Sequence, residues 1–215
     1  MLVADFRILV VCTGNVHRSA FAAALLRQWS DWYLPEDVVS HVFVSSAGTH
    51  AATRAPMDPT VLGMVSALGG DGRDHRAAQL TDEDIVSADL VLVATRRHRD
   101  AVLSRAPSAL RRTFTIREAG RIAELLEPVR RPRLDELRSI VAALADRRVE
   151  VGGSSSQDDV ADPEGKGREA FGRMAAEELP PLVTLARALL GMPKGDVEAY
   201  LEAAVDPFAH GVPAV

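Results

Sequence analysis

Short apolar runs rich in Val, Ile and Leu alternate with segments of helical periodicity over the first 130 residues. Runs of this length are typical of buried parallel strands, and the segments between them are long enough for crossover helices. The alternation predicts an α/β fold, with a four-stranded parallel sheet and helices on both faces. The predicted strands are Phe6–Val11, Val42–Ser46, Ala88–Ala94 and Thr113–Ile116. The predicted helices between them are Ser19–Tyr33, a segment that begins at Asp58 and stops at Gly69, and Arg96–Arg105.

The length of the chain favours one domain with additions. At roughly 150 residues per domain, 215 residues correspond to little more than one domain. We therefore expect a single domain over residues 1–192 and a C-terminal tail over residues 193–215. An amphipathic segment at Arg130–Arg148, followed by the polar stretch Val151–Asp159, indicates a helical insertion at about residues 128–157.

The junction between the first strand and the first helix carries the residues best suited to chemistry. We predict a phosphate loop there, because the N–H groups of such a turn and the N-terminus of the next helix favour an oxyanion. Cys12 is the candidate nucleophile, with a pKa lowered by those dipoles, and Arg18 can bind two phosphate oxygens. Gly14 and Asn15 tolerate left-handed backbone, and the Ser19 hydroxyl can donate to the Cys12 sulfur. The residues expected around the anion are Thr13, Gly14, Asn15, Val16, His17 and Ser19.

The composition excludes several classes of site. Cys12 is the only cysteine, so the chain forms neither an internal disulfide nor a multi-cysteine zinc site. The six histidines lack paired ligand spacing, so we expect neither a metal nor another cofactor. A net charge of −5 argues against a face that binds duplex nucleic acid. The basic runs Arg96–Arg99 and Arg130–Arg133 are interpreted as solvated faces.

The location of the protein is also predicted from composition. No apolar stretch reaches the roughly 18 residues of a membrane span, and the first residues do not have the pattern of an export signal. Together with the single thiol, these features predict a cytoplasmic protein that does not bind membranes.

Six segments form an ordered set of motifs along the chain. The first is Cys12–Ser19 (CTGNVHRS), which follows the first predicted strand. The others are Ser45–Thr49 (SSAGT), Gly72–Ala77 (GRDHRA), Ala88–Val93 (ADLVLV), Phe114–Glu118 (FTIRE) and Asp159–Pro163 (DVADP). In sequence and order these motifs resemble the low-molecular-weight protein tyrosine phosphatase family. The resemblance covers residues 6–127 and 158–190, and leaves out the predicted insertion and the tail.

The resemblance implies a phosphomonoester hydrolase of the protein-tyrosine-phosphatase type. Members of that family form a phosphocysteine intermediate, which water then hydrolyses. Asp162 of the Asp-Pro pair is implied as general acid and later general base, with Asp159 as the competing carboxylate. The family pattern also implies that Asn15, Ser46 and His75 form a buried hydrogen-bond network that supports the loop.

The residues expected at the pocket rim are smaller than those of the family. Aromatic residues follow the Asp-Pro pair in the family, whereas Glu164 and Gly165 follow it here, and the bulky position after the Ser-Ala-Gly segment is Ala52. We expect His50, Ala52 and Glu164 at the rim. A pocket without aromatic walls loses ring-stacking contacts of about 0.5–1.5 kcal/mol each. The substrate is therefore predicted to be a phosphorylated protein or a small phosphomonoester.

Three other functions fit part of the same residues. A small-molecule phosphate esterase of a biosynthetic pathway agrees with the small rim. An arsenate reductase requires an external thiol, because the chain has no second cysteine to relay a disulfide. A non-catalytic phosphoanion-binding protein needs neither a thiolate nor an acid, so the joint presence of Cys12, Arg18 and Asp162 argues against it.

Overall fold

One parallel sheet of four strands forms the centre of the computed structural model, which describes residues 5–152, 154–205 and 208. The strands are β1 (Phe6–Cys12), β2 (Val42–Gly48), β3 (Leu90–Val93) and β4 (Thr113–Thr115). They lie in the order β2-β1-β3-β4, which confirms the predicted α/β fold with a four-stranded parallel sheet. Because β2 and β3 flank β1, the connection from β1 to β2 and the connection from β2 to β3 cross the sheet in opposite directions. The crevice at the carboxyl end of β1 is therefore the usual ligand site of an open α/β sheet.

Helices cover the sheet, and their bounds agree with most of the predicted ones. The helix Arg96–Arg105 has the predicted ends, whereas the helix in the insertion is shorter than predicted. Neither the longest helix, which has 23 residues, nor any other helix in the described part of the chain could span a bilayer. The helices are α1 (Arg18–Tyr33), α2 (Glu36–Val39), α3 (Pro59–Ala67), α4 (Asp82–Ser87), α5 (Arg96–Arg105), α6 (Ile116–Ala123), α7 (Leu134–Asp146), α8 (Arg148–Val151), α9 (Ser155–Asp158), α10 (Arg168–Leu190) and α11 (Lys194–Ala203), with a 3₁₀ helix at Pro107–Arg112.

The side chains of β1 alternate between two apolar clusters, one on each face of the sheet. Phe6, Ile8 and Val10 belong to one cluster, and Leu9 and Val11 belong to the other. Successive side chains of a strand point to opposite faces, so a strand that is buried on both faces has a continuous apolar sequence. The alternation confirms that both faces of the sheet are covered.

The two predicted additions both contain packed helices. In the insertion, α7 buries Leu137 and Leu144 in the main core. In the tail, Tyr200 of α11 is buried, with its ring 5.0 Å from the ring of Trp29 and its hydroxyl donating to the carbonyl of Leu68 at 3.2 Å. Residues 206, 207 and 209–215 of the predicted tail lie outside the described residues. The domain boundary at residue 192 stays a prediction.

Candidate active site

The loop between β1 and α1, residues 13–17, turns its carbonyl groups outward. Each carbonyl oxygen from Cys12 to Val16 accepts a hydrogen bond from a neighbouring segment. The donors are the N–H groups of Thr49, His50, Ala52 and Asp58 and the Nε2 atom of His75, at 2.7–3.1 Å. With its carbonyls engaged outside, the loop has its N–H groups left for the concavity, as an anion-binding turn requires. The N–H groups of Asn15 and Ser19 accordingly act to lower the pKa of the Cys12 thiol.

Asn15 holds the loop in its shape. Its φ is 59°, a left-handed conformation that asparagine tolerates better than most residues. The Asn15 Nδ2 atom donates to the hydroxyls of Ser19 and Ser46, both at 2.9 Å, and its Oδ1 atom accepts from the N–H of Ala78 at 2.8 Å. His75 completes the network through the Asn15 carbonyl, so the structure brings together the three residues that the resemblance implied.

The Cys12 thiol lies at the base of the loop, 2 % exposed, with the Ser19 hydroxyl 2.9 Å from its sulfur. Burial raises its pKa, because it removes water from the thiolate, and this outweighs the opposing effects of Arg18, the Ser19 hydroxyl and the two N–H groups. The sequence-based prediction of a lowered pKa is therefore wrong for the ligand-free protein. The sequence predicted the N–H groups that lower this pKa, but it did not predict how strongly burial of the sulfur raises it.

Arg18 lies beside the loop, and its guanidinium is already paired. One Nη2–H group donates to the Asp162 carboxylate at 2.5 Å, and Nη1 donates to the Val160 carbonyl at 3.3 Å. A longer contact of 3.5 Å joins Nη2 to the Thr13 hydroxyl. The side chain is 4 % exposed, and its Nε atom is buried with no partner in the described part of the chain. Arg18 is thus oriented before an anion arrives.

The segment that carries Asp162 is anchored to α5 and α6. Asp158 is 1 % exposed and forms ion pairs with Arg96, at 2.6 Å, and with Arg121. The Asp159 carboxylate accepts from the N–H of Arg96 at 2.7 Å, and its carbonyl accepts from Arg117 at 3.0 Å. These contacts position the segment that leads to Asp162 and Pro163. They also engage one carboxylate oxygen of Asp159 in a hydrogen bond.

A cavity of about 300 Å³ opens over the loop. Of the three predicted rim residues, His50 lines it, whereas Ala52 and Glu164 are exposed and stand outside the lining. No Phe, Tyr or Trp is found among its described lining residues. The lining consists of Thr13, Arg18, Thr49, His50, Thr95, Arg97, His98, Ala101, Asp159 and Asp162.

The turn between β3 and α5 contributes a wall that the sequence analysis missed. Arg97 and His98 line the cavity with Thr95, although their basic run was interpreted as a solvated face. That interpretation is wrong for His98, which is 5 % exposed and makes hydrogen bonds to the hydroxyls of Thr13, at 2.9 Å, and Thr95, at 2.8 Å. The position of the run directly after a predicted strand was the available signal, because carboxyl ends of parallel strands meet at one edge.

Two buried titratable groups near Arg18 are held neutral. Burial and then the charge of Arg18 lower the pKa of His98 to about 4. Glu178 of α10 is fully buried, neither of its carboxyl oxygens has a partner among the described groups, and burial raises its pKa well above the usual range. Arg18 is therefore the charged side chain that acts on the Cys12 thiol among the described residues.

His17 ends the loop and is not among the residues that line the cavity; its ring lies 5.6 Å from that of Phe171 and its Nε2 atom 3.7 Å from a carboxylate oxygen of Asp58. His17, Asp162 and Glu164 bring potential metal-ligand atoms within 4.8 Å of one another. A cation there would compete with Arg18 for Asp162, so this group offers no independent metal site.

Comparisons with known proteins identify the family. The model of the family described as low molecular weight phosphotyrosine protein phosphatase matches residues 7–147. A probable low molecular weight protein-tyrosine-phosphatase from Ralstonia nicotianae is 37% identical over 124 residues, 58% of this chain and 79% of that protein. A protein-arginine-phosphatase from Geobacillus stearothermophilus is 35% identical over 151 residues, 66% of this chain and 95% of that protein.

Solved structures agree. The arginine phosphatase from Geobacillus stearothermophilus has a TM-score of 0.57 at 28% identity, covering 85% of this chain and 91% of that chain. The Erwinia amylovora tyrosine phosphatase has a TM-score of 0.60 at 24% identity, covering 87% and 95%, and shows the shared fold. The chain therefore belongs to the low molecular weight phosphotyrosine protein phosphatase family, and as a member of it is a cysteine-dependent phosphatase.

Proposed function

We propose that Cys12 is the nucleophile of this phosphatase, that Arg18 binds the phosphoryl group and that Asp162 is the general acid and base. The observation that carries the proposal is the Arg18–Asp162 pair, 2.5 Å long, which lines one cavity with Thr13, the residue that follows the buried Cys12. The charge of Arg18 also acts on the Cys12 thiol, so the anion clamp lies beside both the nucleophile and the acid, as covalent phosphoryl transfer requires.

The ion pair describes a resting state that substrate binding changes. In the resting state the thiol carries a proton, and Asp162 is the carboxylate partner of Arg18. A phosphate dianion replaces Asp162 as the partner of the Arg18 guanidinium, because two phosphate oxygens can accept its two parallel N–H groups. Released from Arg18, Asp162 accepts the proton that the Cys12 thiol gives up. The reactive state therefore holds a thiolate and a carboxylic acid, with no change in the total number of protons.

The reaction then proceeds in two balanced steps. The Cys12 sulfur bonds to phosphorus while the P–O bond to the leaving group breaks, and Asp162 donates its proton to the leaving oxygen. In the second step a water attacks phosphorus, its proton passes to the Asp162 carboxylate, and the S–P bond breaks to return the thiolate. The Ser19 hydroxyl, 2.9 Å from the sulfur, stabilises that thiolate by hydrogen bonding.

Asp162 is a better candidate for the acid than Asp159. Both line the cavity, but the Asp159 carboxylate is engaged by the N–H of Arg96 at 2.7 Å. Asp162 is paired with the group that the substrate displaces, so it becomes available when the phosphate arrives. Pro163 restricts the backbone next to it and lowers the entropy of placing the acid.

The substrate is proposed to be a phosphorylated side chain of a protein, with phosphotyrosine as the first candidate because of the family. Phosphoarginine is a second candidate. The relative matched over 95% of its length is a protein-arginine-phosphatase, and the cavity has two carboxylates, Asp159 and Asp162, but no aromatic wall in its described lining. A guanidinium leaving group is cationic, so carboxylates suit it better than they suit a phenyl ring. A small phosphate ester fits the same polar lining and is a third candidate substrate.

We propose that the protein is located in the cytoplasm, because a single cysteine thiol stays reduced there.

Turnover of four substrates by wild type and Cys12→Ser tests the proposal. The substrates are para-nitrophenyl phosphate, a phosphotyrosine peptide, a phosphoarginine peptide of the same sequence and a sugar phosphate. We expect Cys12→Ser to lose at least about 10⁴-fold in kcat on every substrate hydrolysed, since a serine hydroxyl is a much weaker nucleophile than a thiolate, and to retain binding of inorganic phosphate. Turnover within tenfold of wild type would refute the role of Cys12. The order of kcat/KM among the last three substrates selects the physiological class.

A further inference from the structure

A second cavity, of about 990 Å³, lies at the opposite end of α1 from the phosphate loop. Arg18 begins α1 and Trp32 lies near its end, so the two cavities are roughly 20 Å apart along the helix. The second cavity is therefore separate from the catalytic site. Its volume is at the upper end of the range of small-molecule sites in proteins.

The cavity is formed where the predicted insertion meets the predicted tail. Pro128, Arg130 and Arg131 supply one wall, and Pro193 together with the first turns of α11 supplies the opposite wall. Its interior is apolar, with Trp32, Met192, Val197 and Leu201 among the lining residues. Two of the walls of this cavity thus come from the predicted insertion and the predicted tail, which the motif resemblance does not cover.

Cations surround this apolar interior. Arg130 and Arg131 are exposed at its edge, and no ion pair involves either of them in the described part of the chain. Arg187 lines it too and donates to the carbonyl of Leu126 at 3.3 Å. The single carboxylate in the lining, Glu198, is paired with Lys194 at 3.5 Å, which leaves a clear excess of positive charge.

The backbone that presents these arginines is held in an unusual conformation. Arg131 has a φ of 54°, which is rare for a residue with a long side chain. The opposite residue, Gly191, has a φ of 76°, and a Cβ atom there would lie 2.8 Å from the Val129 carbonyl oxygen. Tight packing between these two segments fixes the turn, and strained backbone of this kind occurs preferentially where a ligand is held.

We propose that this cavity binds a small amphipathic anion, a molecule with an apolar ring or chain and one carboxylate, sulfonate or phosphate group. The apolar body occupies the space between Trp32 and Leu201, and the anionic group faces Arg130 and Arg131. The charge complementarity selects an anion, and the apolar floor disfavours a fully hydrated one such as inorganic phosphate. The site is independent of the proposed catalytic function, since it shares none of its lining residues.

The test uses 8-anilinonaphthalene-1-sulfonate as the anionic probe and uncharged N-phenyl-1-naphthylamine as its neutral counterpart. We expect both to bind the full-length protein saturably, as measured by fluorescence. The double variant Arg130→Ala/Arg131→Ala should bind the sulfonate roughly five- to tenfold more weakly, since each exposed ion pair contributes modestly. The neutral probe should bind it as before. The matched control is Arg133→Ala, because Arg133 is exposed in the same turn, lies outside the cavity and is paired with Asp135; it should bind both probes like wild type.

Further measurements separate this site from the others. Inorganic phosphate and the Cys12→Ser substitution should leave sulfonate binding unchanged, whereas Leu201→Glu should weaken both probes. The proposal is wrong if phosphate competes with the sulfonate, if the double variant loses both probes equally, or if neither probe saturates. It is also wrong if wild type sediments as a dimer that Leu201→Glu dissociates, because a second copy of the chain would then occupy the cavity.

Discussion

The two cavities at the ends of α1 both present arginine, but they hold it differently. At the phosphate loop, Arg18 is 4 % exposed and bonded to Val160 and Asp162. At the second cavity, Arg130 and Arg131 are exposed and lack ion pairs with described residues. A buried and oriented guanidinium acts on an anion in a medium of low dielectric constant, whereas solvent and salt screen an exposed one. The first arrangement suits chemistry at a defined atom, and the second suits modest binding driven by apolar contact.

The groups around the arginines differ in the same way. Next to Arg18, the buried side chains of His98 and Glu178 are held neutral by burial, so they neither repel nor neutralise the bound phosphate. Next to Arg131, the side chains of Arg130, Lys194 and Glu198 are exposed to solvent. A catalytic site therefore needs control over charge in its surroundings as well as a cation, and the interior of the protein supplies that control.

The largest expected difference concerns the replacement of arginine by lysine. Arg18→Lys should lower kcat/KM for para-nitrophenyl phosphate about 10²- to 10³-fold, because lysine cannot contact two oxygens and loses the bond to Val160. Arg131→Lys should change the dissociation constant of the sulfonate probe less than about twofold, since a point charge is sufficient there. Steady-state kinetics and fluorescence titration measure the two effects. A loss below tenfold at Arg18 would show that orientation matters little at the first site.

The next effect tests the proton carrier of the catalytic cavity. Asp162→Asn should lower kcat about 10²-fold or more for an alkyl phosphate, whose leaving oxygen must be protonated. It should have a much smaller effect on para-nitrophenyl phosphate, whose leaving group is stable as an anion. Asp159→Asn, which alters the other carboxylate of the same cavity, is the matched control and should show no such dependence on the leaving group. Equal losses of kcat on both substrates would show that Asp162 is not the general acid.

Sequence patterns predicted the catalytic cavity better than the second one. The four-stranded parallel sheet follows from the apolar runs, and Cys12, Arg18 and Asp162 were found from local motifs, the first two at the end of a predicted strand. The contribution of His98 was missed because its burial depends on the packing of α5 against the loop. The raised pKa of Cys12 was missed for the same reason, since desolvation depends on the tertiary surroundings of the sulfur. The second cavity depends on the packing of residues 129–131 against Gly191 and on the position of α11, and these segments are distant in sequence and carry no motif.

The neutral surroundings of Arg18 predict a pH dependence of stability. The pKa of His98 is 6.5 in the unfolded reference and about 4 in the folded protein, so the unfolded chain binds the proton more tightly. Stability from this group is complete above about pH 6.5 and is lost as the pH falls toward 4, by about 3 kcal/mol at most. Urea unfolding between pH 7 and pH 4.5 measures it. His98→Gln should flatten the slope, and His41→Gln, at a partly exposed histidine, should not.

Glu178 contributes a slope of the opposite sign. Its pKa is raised on folding, so the folded protein retains the proton that the unfolded chain releases as the pH rises through 4.5. Stability from Glu178 is therefore lost toward alkaline pH. Because wild type and His98→Gln share Glu178, the difference between their slopes isolates His98. An identical slope in the two proteins would mean that His98 is not held neutral.

The smallest expected effect compares two exposed arginines, one in each cavity. Arg97 lines the catalytic cavity, is exposed and has no hydrogen bond or ion pair to other described residues. Its positive charge can attract acidic residues that flank a phosphorylated side chain. Arg97→Ala should therefore raise KM for an acidic phosphopeptide about two- to fourfold at low salt and leave kcat unchanged. The effect should vanish at roughly 0.5 M salt, where charges more than a few ångströms apart are screened. Arg131→Ala should leave KM unchanged and weaken only the sulfonate probe. A fall in kcat for Arg97→Ala would place this exposed arginine with Arg18 in the chemistry itself, and would remove the distinction between buried and exposed cations on which the comparison depends.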